Sequence, residues 1–159
     1  MAVTKQIVAV AAAVGIWILL LPVLLIRDHT GSLVPHWRSI FLVGLGVLIA
    51  AVACWLVWTA ASRLVGAEIS LFAAHPGPVL LTDGIYGRVR NPMNLGNTLA
   101  ALAPAVAIDV DSLWIMPLVA FLYYAFGQER LENSYLKAKF GAEFEDYKAR
   151  VPAWTPLWK

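Results

Sequence analysis

The amino-acid sequence predicts an all-α fold: an integral membrane helical bundle of about four transmembrane helices, closed by a cytoplasmic C-terminal helical segment. Three observations lead there. Hydrophobic residues form 60% of the 159 and charged residues 14%, which places the chain outside the range of soluble globular proteins. Two runs without a charge, 7–26 and 40–62, are each long enough, at about 1.5 Å per residue, to cross a hydrocarbon core about 30 Å thick. Lysine and arginine fall ten to two on alternate sides of a four-span topology, which sets its orientation.

The first run, Ile7 to Ile26, is expected to remain as a span, because no convincing small-x-small cleavage site follows it. The second extends from Ile40 to Ser62, so residues 1–62 hold two N-terminal transmembrane helices. Residues 63–91 form a cytoplasmic loop with three arginines, His75, several glycines and the Pro76-Gly77-Pro78 turn signal. Pro92 to Ile108 and Ser112 to Gly127 are shorter apolar segments, separated only by Asp109-Val110-Asp111. Residues 92–127 therefore read as a tight helical hairpin whose arms, at 17 and 16 residues, are marginal spans. In 128–159, Leu131, Tyr135, Leu136 and Phe140 recur at helical spacing, and Phe144, Tyr147 and Val151 follow Gly141 as a second set. Two amphipathic cytoplasmic helices are implied, divided at Gly141 and ended by Pro152. Together, 1–159 form one membrane domain with both termini in the cytoplasm and the acidic hairpin tip outside.

Several function classes drop out. A net charge of +2, with no basic run interleaved with aromatics, argues against nucleic acid as a partner. Cys54 is the one cysteine and lies in an apolar run, so no internal disulfide forms. His29, His36 and His75 are scattered without ligand spacing, which argues against a metal. Gly44-Leu45-Gly46 sits inside a spanning helix with no preceding strand and reads as packing rather than a dinucleotide loop.

The polar residues of the C-terminal half remain. Asn91 before Pro92 is a natural helix start, since asparagine caps orphan amides and proline at the first helical position loses no bond. Arg90, Asn94 and Asn97 follow i, i+4, i+7 spacing and are expected to line one face of the third helix. Polar groups at that depth face a bundle interior or a cavity; interhelical hydrogen bonding and a polar pocket both satisfy this. Glu129, Arg130, Glu132 and Tyr135 cluster at the cytoplasmic end of the fourth helix, where Glu129 and Glu132 share a face. Acidic and basic groups are then expected to converge where the hairpin arms emerge. A zwitterionic amino-acid moiety suits that mixture.

The segment resembles the membrane methyltransferases related to isoprenylcysteine carboxyl methyltransferase and the phospholipid methyltransferases. The resemblance rests on Gly84-Ile85-Tyr86 with Arg90-Asn91-Pro92, then Glu132, Leu136, Phe140-Gly141 and Tyr147, and finally Val151-Pro152 and Pro156. It covers residues 78–156, about half the chain. It implies an enzyme that binds S-adenosyl-L-methionine near the cytoplasmic surface and methylates a lipophilic small-molecule or lipid acceptor reached from the surrounding membrane lipids. It further implies that Glu132 holds the cofactor's ammonium, that Arg90 and Asn91 border its polar groups, and that Tyr86 and Tyr147 close the pocket. Asn97, Glu129 and Tyr135 complete the expected cofactor-binding set, with Arg90 and Glu132 as the catalytic pair. Three positions depart from the family pattern: Asn133 replaces a second glutamate, Asn94 a tyrosine and Ala153 an arginine. Two other functions fit the composition, an NADPH-dependent membrane reductase acting on a sterol-like lipid and a catalytically inactive membrane scaffold.

Overall fold

A computed structural model describes residues 37–67, 69, 77–108 and 111–155, all helical or irregular, with no strand among them. The expected span at 7–26, His29, His36, His75, the hairpin tip at 109–110 and Pro156 lie outside the described residues. Among the described residues five α-helices follow one another: α1 Trp37–Gly66, α2 Pro92–Ile108, α3 Ile115–Leu122, α4 Glu129–Phe140 and α5 Ala142–Arg150. A 3-10 turn, Asp111–Trp114, leads into α3, and a π-helical segment, Tyr123–Gln128, joins α3 to α4.

Helix α1 contains the one stretch among the described residues, Ile40–Gly66, that is long and apolar enough to cross a membrane. It runs past the expected end at Ser62. Its 27 residues measure about 40 Å, and its flanks carry large exposed apolar groups such as Phe41, Leu48, Trp55 and Trp58. In water such a surface would be a liability; in lipid it is the solvent-facing side. The hairpin arms are shorter. Helix α2 has 17 residues and α3 has 8, so neither is a full span by length on its own.

The chain divides into two compact units, Met1–Trp55 with Gly96–Phe121, and Leu56–Leu95 with Leu122–Lys159. In the first, small residues let helices approach closely. A Cβ built on Gly46 would stand 2.6 Å from Ala107 Cβ and 2.8 Å from the Ala103 carbonyl oxygen. Helix association in lipid depends on such contacts, because water no longer drives apolar surfaces together. Beside that seam, Ala101, Ala105, Leu113 and Met116 form a buried cluster, with Ile108 and Ala120 against it.

In the second unit, Phe144, Tyr147 and Val151 are buried against Leu80, Leu136 and Phe140. Helix α5 can turn back on α4 because Gly141 takes φ 54°, ψ −121°, a conformation that only glycine adopts without strain. The division at Gly141 is as expected. The division at Gln128 is different: Leu122 and Glu129 both keep right-handed helical dihedrals, so the helical path continues from α3 into α4 through the π segment. Wider π turns change which side chains share a face, an effect that apolar periodicity alone does not register.

One expectation about the third helix is overturned. Helix α2 begins at Pro92, so Arg90 lies two residues before it and shares no helical face with Asn94 and Asn97. Pro92 explains the boundary, since the residue before a proline is pushed out of the helical region.

Gly46→Ala is expected to lower stability by about 1–3 kcal/mol, because the added methyl forces the α1 and α2 backbones apart. Gly44→Ala meets nothing within 4 Å and should be neutral or stabilising by up to about 1 kcal/mol through helix propensity. Thermal unfolding in detergent compares the two; equal effects would remove the close-packing explanation.

Candidate active site

All the contacts of the candidate site lie in the second unit. The loop before α2 reaches it through a tight turn. Gly84 carries φ +57°, and Gly87 N–H and Val89 N–H donate to the carbonyls of Asp83 and Ile85 at 3.2 and 3.1 Å. Asp83, exposed, is paired with Arg63 at the end of α1, and that guanidinium holds its carboxyl below the usual range. The turn presents Tyr86 and then buries Val89 completely.

Arg90 and Asn91 next run alongside the C-terminal segment. The Arg90 and Asn91 backbone N–H groups donate to the carbonyls of Pro152 and Ala153 at 2.9 and 3.2 Å. Val151 is extended at φ −119°, ψ 120°, as a residue preceding proline should be, and this lets the tail lie against the loop. Arg90 then distributes its guanidinium over three partners. Its Nε donates to Val151 O at 2.9 Å, one terminal nitrogen to Asn133 Oδ1 at 3.3 Å, and the other approaches Glu129 Oε1 at 3.5 Å. The side chains of Arg90 and Glu129 are only 10% and 14% exposed, so this ion pair is screened far less than a surface one.

Both oxygens of Glu129 meet protein partners. Asn133 Nδ2 reaches its Oε1 at 3.5 Å, and the Trp154 indole N–H donates to Oε2 at 2.8 Å. Glu132, one turn on, makes no hydrogen bond or ion pair among the described residues. Its surface is exposed, yet burial is the largest cause pushing its carboxyl above the usual range, with the Glu129 charge adding to the rise and Arg90 opposing it. Its carboxyl therefore has an open side and stays near the Glu129 and Arg90 charges.

Tyr147 closes the other side. Its hydroxyl donates to the Tyr86 carbonyl oxygen at 2.7 Å. Burial pushes both phenols far upward; Glu132 raises them further, while Arg90 pulls Tyr147 back. Both therefore stay neutral near physiological pH. Their response to Glu132 shows that Tyr86, Tyr147, Arg90 and Glu132 share one electrostatic neighbourhood.

Asn91 starts α2 through its backbone, its carbonyl accepting from Leu95 N–H at 3.0 Å. Its side-chain Nδ2 is buried without a hydrogen-bond partner, a donor that helix capping, which uses the side-chain oxygen, would not satisfy. Tyr135 is exposed on α4, and Asn97 is half-buried in the first unit.

Residues 41–143 match the sequence model of the phospholipid methyltransferase family. The chain belongs to that family. It is also similar to the protein-S-isoprenylcysteine O-methyltransferase of Schizosaccharomyces pombe, 34% identical over 83 residues, which is 50% of this chain and 34% of that protein. The match thus spans about a third of the relative's length. No solved structure matches the chain.

In this phospholipid methyltransferase family member, three contributors were not singled out from sequence as site residues. Asn133 was visible only as a departure from a glutamate pair, and here it bridges Arg90 to Glu129. Trp154 and the carbonyls of residues 151–153 arrive from a segment about sixty residues beyond Arg90. The Val151-Pro152 pair signals extended chain, but no sequence pattern says what that chain will lie against. Among the described residues there is no group of three or more His, Cys, Asp or Glu placed to hold a metal ion.

Arg90→Lys keeps the charge but cannot serve three acceptors in different directions, and should cost about 1–3 kcal/mol. Arg88→Lys, on an exposed side chain, should stay within about 0.5 kcal/mol. Thermal or denaturant unfolding in detergent measures both, and an equal response would mean that the Arg90 fork contributes nothing beyond its charge.

Proposed function

We propose that this protein is a membrane methyltransferase that transfers a methyl group from S-adenosyl-L-methionine to a lipophilic acceptor, such as an isoprenylcysteine carboxylate, a phospholipid amine or a similar small hydrophobic molecule. The observation that carries this reading is the presence, around one guanidinium, of two unsatisfied groups of opposite preference. Glu132 offers an unpartnered carboxyl within reach of the Arg90 charge, and Asn91, next to Arg90 in the chain, offers an orphaned amide N–H donor. An amino-acid end group, with an ammonium for the first and a carboxylate for the second, fits that donor set.

When bound, S-adenosylmethionine supplies an electrophilic methyl group on a sulfonium. The protein's part is to align the acceptor behind that carbon and keep water out, which can supply several kcal/mol of the barrier. Glu132 holds the ammonium, Arg90 and Asn91 border the carboxylate, and Tyr86 and Tyr147 form the wall. Glu129 acts on this pocket through Arg90. With phenols pushed so far up, neither tyrosine removes a proton at neutral pH. An acceptor arriving already ionised, such as a carboxylate, therefore suits the site better than a protonated amine. The family match and the membrane-length α1 support a bilayer setting. For a four-span topology, the ten-to-two distribution of lysine and arginine supports both termini and the site on the cytoplasmic side.

Purified protein should be thermally stabilised by S-adenosylhomocysteine through mass action. Stabilisation by NADPH alone would replace this reading with the reductase, and no response to either would favour the scaffold. Glu132→Gln should weaken S-adenosylhomocysteine binding at least tenfold, about 1.4 kcal/mol, whereas exposed Glu143→Gln should change it little. The pH dependence has a definite sign. Glu132 titrates above the usual carboxylate range in the free protein, and a bound ammonium favours its ionised form, so binding releases a proton. Affinity should therefore fall as pH drops through the raised value, and Glu132→Gln should flatten that slope; a slope unchanged in the variant would remove Glu132 from the pocket.

A further inference from the structure

We propose that Trp154 is a latch that positions the pocket: its indole N–H, bonded to Glu129 Oε2, keeps that carboxylate turned onto Arg90 and Asn133 and so reserves Glu132 as the acid open to a cationic ligand. The ligand half of this inference rests on the methyltransferase reading above, whereas the latch itself does not. Trp154 lies beyond residues 41–143, so the family match says nothing about it.

Glu129 and Glu132 stand three apart on α4 and share a face. Their surroundings divide them. Of the contacts on Glu129, the indole bond at 2.8 Å is the short one, while Arg90 and Asn133 both stand at 3.5 Å. A carboxylate only 14% exposed needs its second oxygen satisfied, and the indole does this. Removing the N–H leaves Oε2 unpaired in a poorly hydrated place, and the side chain can recover hydration only by rotating away from Arg90. The same four residues that carry the indole also carry the acceptors for the Arg90 side chain and for the Arg90 and Asn91 backbone, at Val151, Pro152 and Ala153. Guanidinium and backbone thus close the tail on the loop, and the indole closes it on α4, at adjacent points. Each supports the next, because the tail must be extended and docked for Trp154 to reach α4.

Two consequences follow for the acids. Latched, Glu129 neutralises Arg90 in part and raises Glu132 by its charge, but it is not itself available to a ligand. Unlatched, it becomes a second carboxylate one turn from Glu132, able to compete for the same ammonium.

The test uses the full chain in detergent, with Trp154→Phe, which keeps an aromatic ring and removes the donor. Hydrogen exchange at the Arg90 and Asn91 amides, whose acceptors are Pro152 and Ala153, should accelerate at least fivefold in the variant. S-adenosylhomocysteine binding should weaken at least fivefold. Adding Glu129→Gln to Trp154→Phe removes the competing carboxylate and should bring affinity back to within about twofold of the unsubstituted chain. Unchanged exchange at Arg90 and Asn91 would overturn the latch. Faster exchange with unaltered affinity, or a double variant that binds no better than Trp154→Phe, would overturn its positioning role. Glu129→Gln alone keeps an oxygen for the indole and should hold the tail, so release of the tail in that variant would show that charge, and not the indole bond, secures it. A wild-type chain that never binds S-adenosylhomocysteine, yet loses protection on Trp154→Phe, would sink the methyltransferase reading and leave the latch standing.

Discussion

The second unit depends on one side chain, the guanidinium of Arg90, and on its being satisfied in three directions. It accepts nothing and can only donate, so every partner must be an oxygen, and the three oxygens come from a tail carbonyl, an amide and a carboxylate. A point charge could neutralise Glu129, but only a planar fork ties the loop, α4 and the tail together with defined angles. Desolvating such a charge is costly, and only the completeness of its contacts makes the arrangement stable. That completeness also fixes what is left over. Once Glu129, Asn133 and Val151 are engaged, the Glu132 carboxyl and the Asn91 amide N–H are left without a partner among the described residues.

The tail has a larger part than its length suggests. Tyr147 hydroxyl bonds to the Tyr86 carbonyl, Val151 packs in the buried cluster with Phe144, and the next two residues pair with the loop. Helix α5 therefore serves less as a separate amphipathic helix than as a device that returns the chain to the start of α2. Gly141 makes the return possible, since its backbone conformation is denied to residues with a side chain. The exposed pair of Lys137 with Glu145 across that corner adds little, because two solvated charges gain little by meeting.

Much of the candidate site was legible in the sequence because it is chemically conspicuous. Arg90, Asn91, Glu129 and Glu132 are polar residues at the ends of apolar runs, where chance alone would not put them. Their division of labour was not legible. Glu129 and Glu132 look equivalent as i, i+3 acids, and only the arrival of Trp154 makes one of them structural. Asn133 looked like a lost glutamate and proved to be a bridge. Arg90 was assigned to a helical face by spacing, but Pro92 holds it outside the helix, where its backbone is able to pair with the tail.

By itself the sequence determined the solvent, the helical class and the location of the polar cluster. Apolar run length, turn residues and caps are local properties, read over a few helical turns. Tertiary structure alone decided which polar atoms are satisfied and which are left open. Hydrogen-bond completion at Arg90 joins residues more than sixty positions apart, and local periodicity carries no information about such closures. The change from α to π hydrogen bonding ahead of Glu129 belongs with them, because it alters the facing of the acids without altering which residues are apolar.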